Sequence, residues 1–419
     1  MGVKMDFELK DGLWILNINM IQSLALAVVT YYLGVWVKSK VFLLERLSMP
    51  SPVVGGMILA IILSILQGSE ILIVHFDSTL QTLLMLAFFT TIGMMASIKV
   101  VKQGGKLLVG FLVSVSVLAV LQNVLGMSLA ALMGLDKHYG ILTGAVSMMG
   151  GLGTSAAFGP YFEQTYGITG ATAVAITSAT FGMAAALILG GPFGEWLIRR
   201  YKIHTPQPVG EPEPSLHIPS DLQADIVAKE AGHKPSFTDE LMKAGGLVAV
   251  CMALGSIVSE FLGQFITLPA YIGSMIVAAI VRNLMDCTKS LRIDGVGLNA
   301  VADISLVLFV TMAVNSLKLA ELVNLAIPML VILLAQAVLV LIFSWFFIFL
   351  LFGKNYDTVM LSVGGVGFSM GSTANGLAVM QALSEKYGSN ARAWLIVSLV
   401  GAFLIDLINA VIITYMGTL

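Results

Sequence analysis

Two stretches decide the fold: GILTGAVSMMGGLGTSAAFGPYF, from Gly140 to Phe162, and VMLSVGGVGFSMGSTANGLAVMQAL, from Val359 to Leu383. Each is apolar enough to lie in a membrane but too broken by glycine to cross it as one ordinary helix. Backbone that leaves the helical ladder inside a bilayer must be covered by protein or face a water-filled cavity, because lipid offers no partner for its N–H and C=O groups. Both stretches therefore read as re-entrant hairpins whose tips meet in the interior of a larger bundle.

The rest of the chain supplies that bundle. Of 419 residues, 58% are apolar and 11% charged, a balance that excludes a water-soluble globular domain. A helical span needs roughly 20 apolar residues, and candidate spans fall at 14–37, 52–67, 79–97, 107–133 and 171–198, then at 245–263, 269–285, 299–317, 324–352 and 393–416. Residues 1–12 mix acidic residues with lysines and lack a signal-peptide pattern, so the first apolar run is expected to stay as a span. The expected fold class is an all-α polytopic membrane protein of about ten transmembrane helices. The stretch 199–243, with Pro206, Pro208, Pro212, Pro214 and Pro219 among mixed charges, has the composition of a solvated linker. It divides a first repeat, 1–198 with hairpin 140–162, from a second, 244–419 with hairpin 359–383.

The halves resemble each other at an offset of about 220 residues. PSPVVGG from Pro50 answers LPAYIGS from Leu268, and LMLAFFTTIGM from Leu84 answers ISLVLFVTMAV from Ile304. Gln122 answers Gln336, GTSAAFG from Gly153 answers GSTANG from Gly371, and EQTYG from Glu163 answers EKYG from Glu385. With an odd number of spans per half, the second copy enters the membrane from the opposite face, the inverted-topology repeat of many secondary carriers. Charge sets the orientation, because loops on the cytoplasmic side retain lysine and arginine. A cytoplasmic linker places all but four of the 22 basic residues inside, leaving only Lys4, Lys10, Lys137 and Lys318 outside. Both termini are then expected outside.

Chemistry is expected at the hairpin tips. A half-helix N-terminus presents free amides and a positive dipole end, which can hold a carboxylate without a cationic side chain. Gly151, Gly153 and Gly371 allow close approach, and Thr154, Ser155, Ser372, Thr373 and Asn375 add neutral donors and oxygen ligands. These eight are the candidate substrate-binding residues. Ionisable groups within spans are costly and mark function. Asp406, in GAFLIDLINA with Asn409 one turn on, is the clearest, and a sodium ion is expected near it. Gln122 and Gln336, both mid-span, either link helices or line the path, and are grouped with Asp406 and Asn409 as cation-binding or coupling residues. Asp303 either caps the eighth span or takes part. Lys386 and Arg392 are the nearest cations in reserve. Cys251 and Cys287 are read as small buried hydrophobes, not as a disulfide or zinc pair.

The chain resembles the bacterial glutamate:sodium symporter family, itself distantly similar to the 2-hydroxycarboxylate carriers. The resemblance rests on PSPVVGG at Pro50, LMLAFFTTIG at Leu84, LQN at Leu121, ATFGMAAALILGGP at Ala179, GKNYD at Gly353 and VGAFLIDLINA at Val400. It implies a homodimer in the bacterial inner membrane, paired hairpins and sodium-coupled uptake of L-glutamate by alternating access, with sodium as coupling ion and no other cofactor. The chain departs from the family pattern at Leu152, Ser155 and Ala374, where histidine, glycine and proline are expected. The alternative is a sodium- or proton-coupled carrier of another small carboxylate, of the 2-hydroxycarboxylate type.

Other classes fit less well. The net charge of −2, with no basic stripe, offers nothing to nucleic acid. An intramembrane aspartyl enzyme needs two carboxylates sharing a proton, and the chain offers only Asp303 and Asp406, without a GxGD motif.

Overall fold

The computed structural model describes residues 6–10, 13–47, 49–206, 237–263, 269, 271–288, 295–319, 322 and 325–419. The chain is mostly helical. Its first elements are strands β1 (Asp6–Lys10) and β2 (Leu13–Ile18), followed by α1 (Met20–Lys40), α2 (Phe42–Arg46), α3 (Ser51–Gly68) and β3 (Leu72–Phe76). Next come α4 (Thr79–Met95), α5 (Ile98–Leu132), α6 (Lys137–Ile141), α7 (Gly151–Tyr166) and α8 (Ala171–Tyr201). Beyond the linker lie α9 (Phe237–Gly263), α10 (Tyr271–Thr288), α11 (Gly295–Asn315) and α12 (Ala326–Phe343). The last elements are α13 (Tyr356–Ser369), α14 (Thr373–Tyr387), α15 (Ala391–Leu399) and α16 (Ile405–Gly417).

Among the described residues, seven helices are long and apolar enough to cross a membrane: Met20–Lys40, Ser51–Gly68, Gly105–Leu132, Ala171–Tyr201, Phe237–Leu262, Gly295–Asn315 and Ala326–Leu350. The other three expected spans are helical but differ in kind. Thr79–Met95 is one residue shorter than α3, α10 carries Arg282 and Asp286 in an ion pair of 3.3 Å, and the last span is interrupted by a π turn, Val400–Leu404, between α15 and α16. Ile327, Ile257, Val29 and Tyr32 stand exposed on the long helices while serines and threonines such as Ser155, Thr311 and Ser362 are buried. That arrangement suits a lipid surround and would be unfavourable in water.

The first span starts later than expected. LWILNI is a strand, paired antiparallel with β1 and parallel with β3, and α1 begins only after Asn19. There the Asn19 side chain accepts from the Gln22 amide and the Gln22 side chain accepts from the Asn19 amide, both at 3.0 Å, closing a capping box. The linker is also shorter at both ends, since α8 runs to Tyr201 and α9 starts at Phe237; most of it, 207–236, lies outside the described residues. Cys251 is buried as expected, but Cys287 is exposed on the last turn of α10.

The helices pack as two groups. In one, α3 and α11 pack on α1, while α4, α9, α10 and α11 pack among themselves. In the other, α5 packs on α6, α12, α15 and α16, and α8 packs on α7, α12, α13 and α14. Contact between the groups is thinner and runs chiefly from α11 to α7 and α8, and from α4 to the π turn at 400–404. The aromatic seam includes Tyr271, stacked on Phe89 at 4.0 Å and edge-on to Phe158 at 5.8 Å.

Candidate functional site

Both glycine-rich stretches fold as helix, break, helix within the second group. In the first, Asp136 starts α6 by accepting from the His138 amide at 2.9 Å, and the His138 ring reaches from Asp136 to the Gly417 carbonyl oxygen, 3.0 Å from Nε2. Burial works to raise the pKa of Asp136, but the hydrogen bonds from His138 outweigh it and hold the carboxyl below its ordinary value. The helix continues as a π turn, Leu142–Val146, and departs from helical geometry at Gly144, where ψ is −124°. The backbone groups of Ala145 beside that departure go to two other spans. Asn123 of α5 accepts from the Ala145 amide at 2.8 Å, and Asn409 of α16 donates to the Ala145 carbonyl at 2.9 Å.

The second stretch uses the same device. A capping box of Asn355 and Thr358 starts α13, which ends at Ser369. Gln122 of α5 donates from Nε2 to the Ser369 carbonyl at 2.9 Å, and Gln336 of α12 donates from Nε2 to the Gln122 carbonyl at 2.7 Å. After Met370 and Gly371, Ser372 caps α14 by accepting from the Asn375 amide, and the Asn375 side chain donates to the Met183 carbonyl of α8 at 3.0 Å.

The two breaks touch. Gly151 opens α7 with φ of +63°, and a Cβ placed there would lie 2.4 Å from the Gly371 carbonyl oxygen. Because Gly151 and Thr373 each open a helix, α7 and α14 begin beside each other with their positive ends together. Ser155, the fifth residue of α7, is fully buried with a hydroxyl that has no hydrogen-bond partner among the described residues. Thr154 is buried against Gly150, and Thr373 lies against Gly401 in the last π turn. Gly153 faces the other group, where a Cβ would meet Phe88 of α4 at 3.0 Å and Leu306 of α11 at 3.4 Å.

Asp406 and Asn409 share α16 but not their surroundings. Asn409 is buried on the first break, whereas Asp406 is half-buried and makes no hydrogen bond or ion pair with a described residue. In the opposite group, the buried Tyr271 hydroxyl of α10 has no hydrogen-bond partner among the described residues. Asp303 is exposed within α11 and caps nothing. Lys386 and Arg392 are held away from the breaks, Lys386 by Glu195 at 2.6 Å and Arg392 by Asp357 at 3.8 Å. Sequence reading passed over Asn123, Ser369 and Tyr271. Asn123 sits in the LQN run and Tyr271 in the repeated LPAYIGS, so both had a signal; Ser369 had none beyond lying in the glycine-rich stretch.

A cavity of about 390 Å³ lies between the two groups at the end where α7 finishes and α8 starts, lined by Ser78, Gln81, Glu163, Thr172, Ser316 and Lys318 among others. Glu163 accepts from the Thr172 amide at 2.9 Å.

Residues 16–389 match the model of the sodium/glutamate symporter family. The chain is 35% identical over 398 residues to the sodium/glutamate symporter of Escherichia coli (strain K12), covering 95% of this chain and 97% of that one. It is also 35% identical over 398 residues to the sodium/glutamate symporter of Haemophilus influenzae, covering 94% and 95%. Among solved structures, a sodium proton antiporter from Methanocaldococcus jannaschii aligns with a TM-score of 0.45 and 15% identity, covering 96% of this chain and 98% of that one. With the family match running through both helix breaks and the relatives matching over nearly their full length, the chain belongs to the sodium/glutamate symporter family, a family of secondary transporters.

Proposed function

We propose that this chain carries L-glutamate inward with sodium by alternating access, from ten spans arranged as two inverted five-span repeats with re-entrant hairpins. The observation that carries this reading is the meeting of the two helix breaks at Gly151 and Gly371 in a chain of this family. Glutamate carboxylates bind at the adjoining starts of α7 and α14, where Gly151, Gly153 and Gly371 leave room and Thr154, Ser155, Ser372, Thr373 and Asn375 supply neutral contacts. Asp406 binds or couples a sodium ion, with Asn409, Gln122 and Gln336 on the cation side of the mechanism. The protein catalyses no covalent step and needs no cofactor beyond sodium.

In the cell it sits in the bacterial inner membrane as a homodimer, with both termini outside and the 199–243 linker in the cytoplasm. The cavity near Lys318 then opens outward. The purified protein in proteoliposomes tests the substrate and the ion together. Labelled glutamate, aspartate, citrate and malate are offered with and without an inward sodium gradient, and glutamate uptake that depends on the gradient is expected. Preference for citrate or malate would mean that Leu152, Ser155 and Ala374 have moved the specificity to 2-hydroxycarboxylates, and uptake driven by a proton gradient alone would replace sodium.

A further inference from the structure

Where α5, α12 and the end of α13 meet, three oxygens lack partners among the described residues: Gln122 Oε1, Gln336 Oε1 and Ser369 Oγ. All three residues are fully buried, at 0% exposure. The orientation of both carboxamides is fixed by their nitrogens, since Gln336 Nε2 donates to the Gln122 carbonyl and Gln122 Nε2 to the Ser369 carbonyl. Turning either amide over would set two oxygens face to face, so the Oε1 atoms are the free ends. A buried acceptor without a donor is destabilising, and here the three residues that carry such acceptors are joined in one chain of hydrogen bonds. A cation that has shed its water seeks oxygens of this neutral kind.

The helix geometry favours the same ligand. Ser369 is the last residue of α13, so the negative end of that helix faces the junction. Four residues on, at Thr373, α14 begins with its positive end. The break at Met370–Ser372 thus lies between a place suited to a cation and one suited to an anion. Asp406 does not belong to this cluster, for it makes no hydrogen bond to any of the three residues.

We propose that Gln122 Oε1, Gln336 Oε1 and Ser369 Oγ form a neutral sodium site, distinct from Asp406, whose occupation orders the second break and thereby the carboxylate site beside it. The proposal rests on the sodium-coupled reading above. Its test is made on the full-length purified protein, without glutamate: thermal unfolding is followed as sodium chloride replaces choline chloride at constant ionic strength. Sodium is expected to raise the Tm of the unaltered protein. Gln336→Met, which removes the oxygen, should raise the half-maximal sodium concentration by about tenfold or more. Gln336→Glu, which keeps an oxygen there, should bind sodium no more weakly than the unaltered protein, and Asp406→Asn should keep a sodium response. An unshifted curve in Gln336→Met, or equal weakening by Met and Glu, overturns the proposal; equal weakening would assign the effect to the lost nitrogen. If Gln336→Met does not fold, Ser369→Ala is judged by the same curve, and an unshifted response overturns the site. Sodium-driven glutamate uptake alongside any of these overturning results leaves the transport reading intact, whereas sodium-independent uptake removes that reading itself.

Discussion

Gly151 bears two constraints at once, a left-handed backbone and a neighbouring carbonyl oxygen where a side chain would begin. Alanine there costs about 1–2 kcal/mol through the backbone conformation alone, and the contact with Gly371 must also open. Gly151→Ala is therefore expected to lower the Tm and abolish uptake, while Gly153→Ala, whose Cβ first meets the Phe88 and Leu306 side chains and no backbone atom among its nearest neighbours, keeps measurable transport. Gly151→Ala with unaltered Tm and uptake would show that the breaks do not meet. Asp406 is constrained differently, since no hydrogen bond holds it in place. Asp406→Asn preserves its shape and removes its charge, so the Tm in choline should change little while the sodium concentration for half-maximal uptake rises by about tenfold. Sodium dependence equal to that of the unaltered protein would remove Asp406 from the coupling mechanism.

At the scale of elements, each break is held by carboxamides borrowed from other spans, and this makes the first break testable by a double-mutant cycle. Asn123 and Asn409 bond the amide and the carbonyl of one residue, Ala145. Either change to alanine leaves a buried backbone group unpaired, at about 1–3 kcal/mol, and the two losses should not add because they share that residue. Strict additivity in chemical unfolding would mean the two bonds act independently. The breaks themselves were legible in the sequence because two glycine clusters stand at matched positions in the two halves, whereas a single cluster would read more readily as close helix packing. The residues that hold them were less so: Gln122, Gln336 and Asn409 stood out as polar groups in mid-span, whereas Asn123, beside Gln122, was read only as part of a motif. Hydropathy also misplaced the start of the first span, since LWILNI is as apolar as a helix and its pairing with Asp6–Lys10 and with Leu72–Phe76, more than fifty residues away, makes it a strand. The π turn at Val400–Leu404 escaped for a related reason. It adds a residue to a turn without changing composition, and Gly401 against Thr373 is its only mark.

Over the whole molecule, the two helix groups and the skew of basic residues bear on orientation and energy together. A cysteine placed at Lys202, just past the end of α8, should react with a membrane-impermeant thiol reagent only in inside-out vesicles; reaction in right-side-out vesicles would reverse the topology. With that orientation settled, the membrane potential becomes a probe of stoichiometry. Glutamate carries one net negative charge, and moving it into a negative interior costs about 2.3 kcal/mol per 100 mV. One sodium ion only cancels that charge, so the potential neither helps nor hinders. A second sodium makes the loaded carrier positive, and the same potential then drives uptake. The two cation sites proposed above, at Asp406 and at the unpartnered buried oxygens of Gln122, Gln336 and Ser369, lead to an expectation of at least two sodium ions per glutamate. Proteoliposomes with a fixed sodium gradient and a potassium diffusion potential imposed by valinomycin decide the matter: an inside-negative potential should speed initial glutamate uptake and an inside-positive one should slow it. A rate indifferent to the potential would fix the ratio at one to one and leave only one of the two cation places in use during transport.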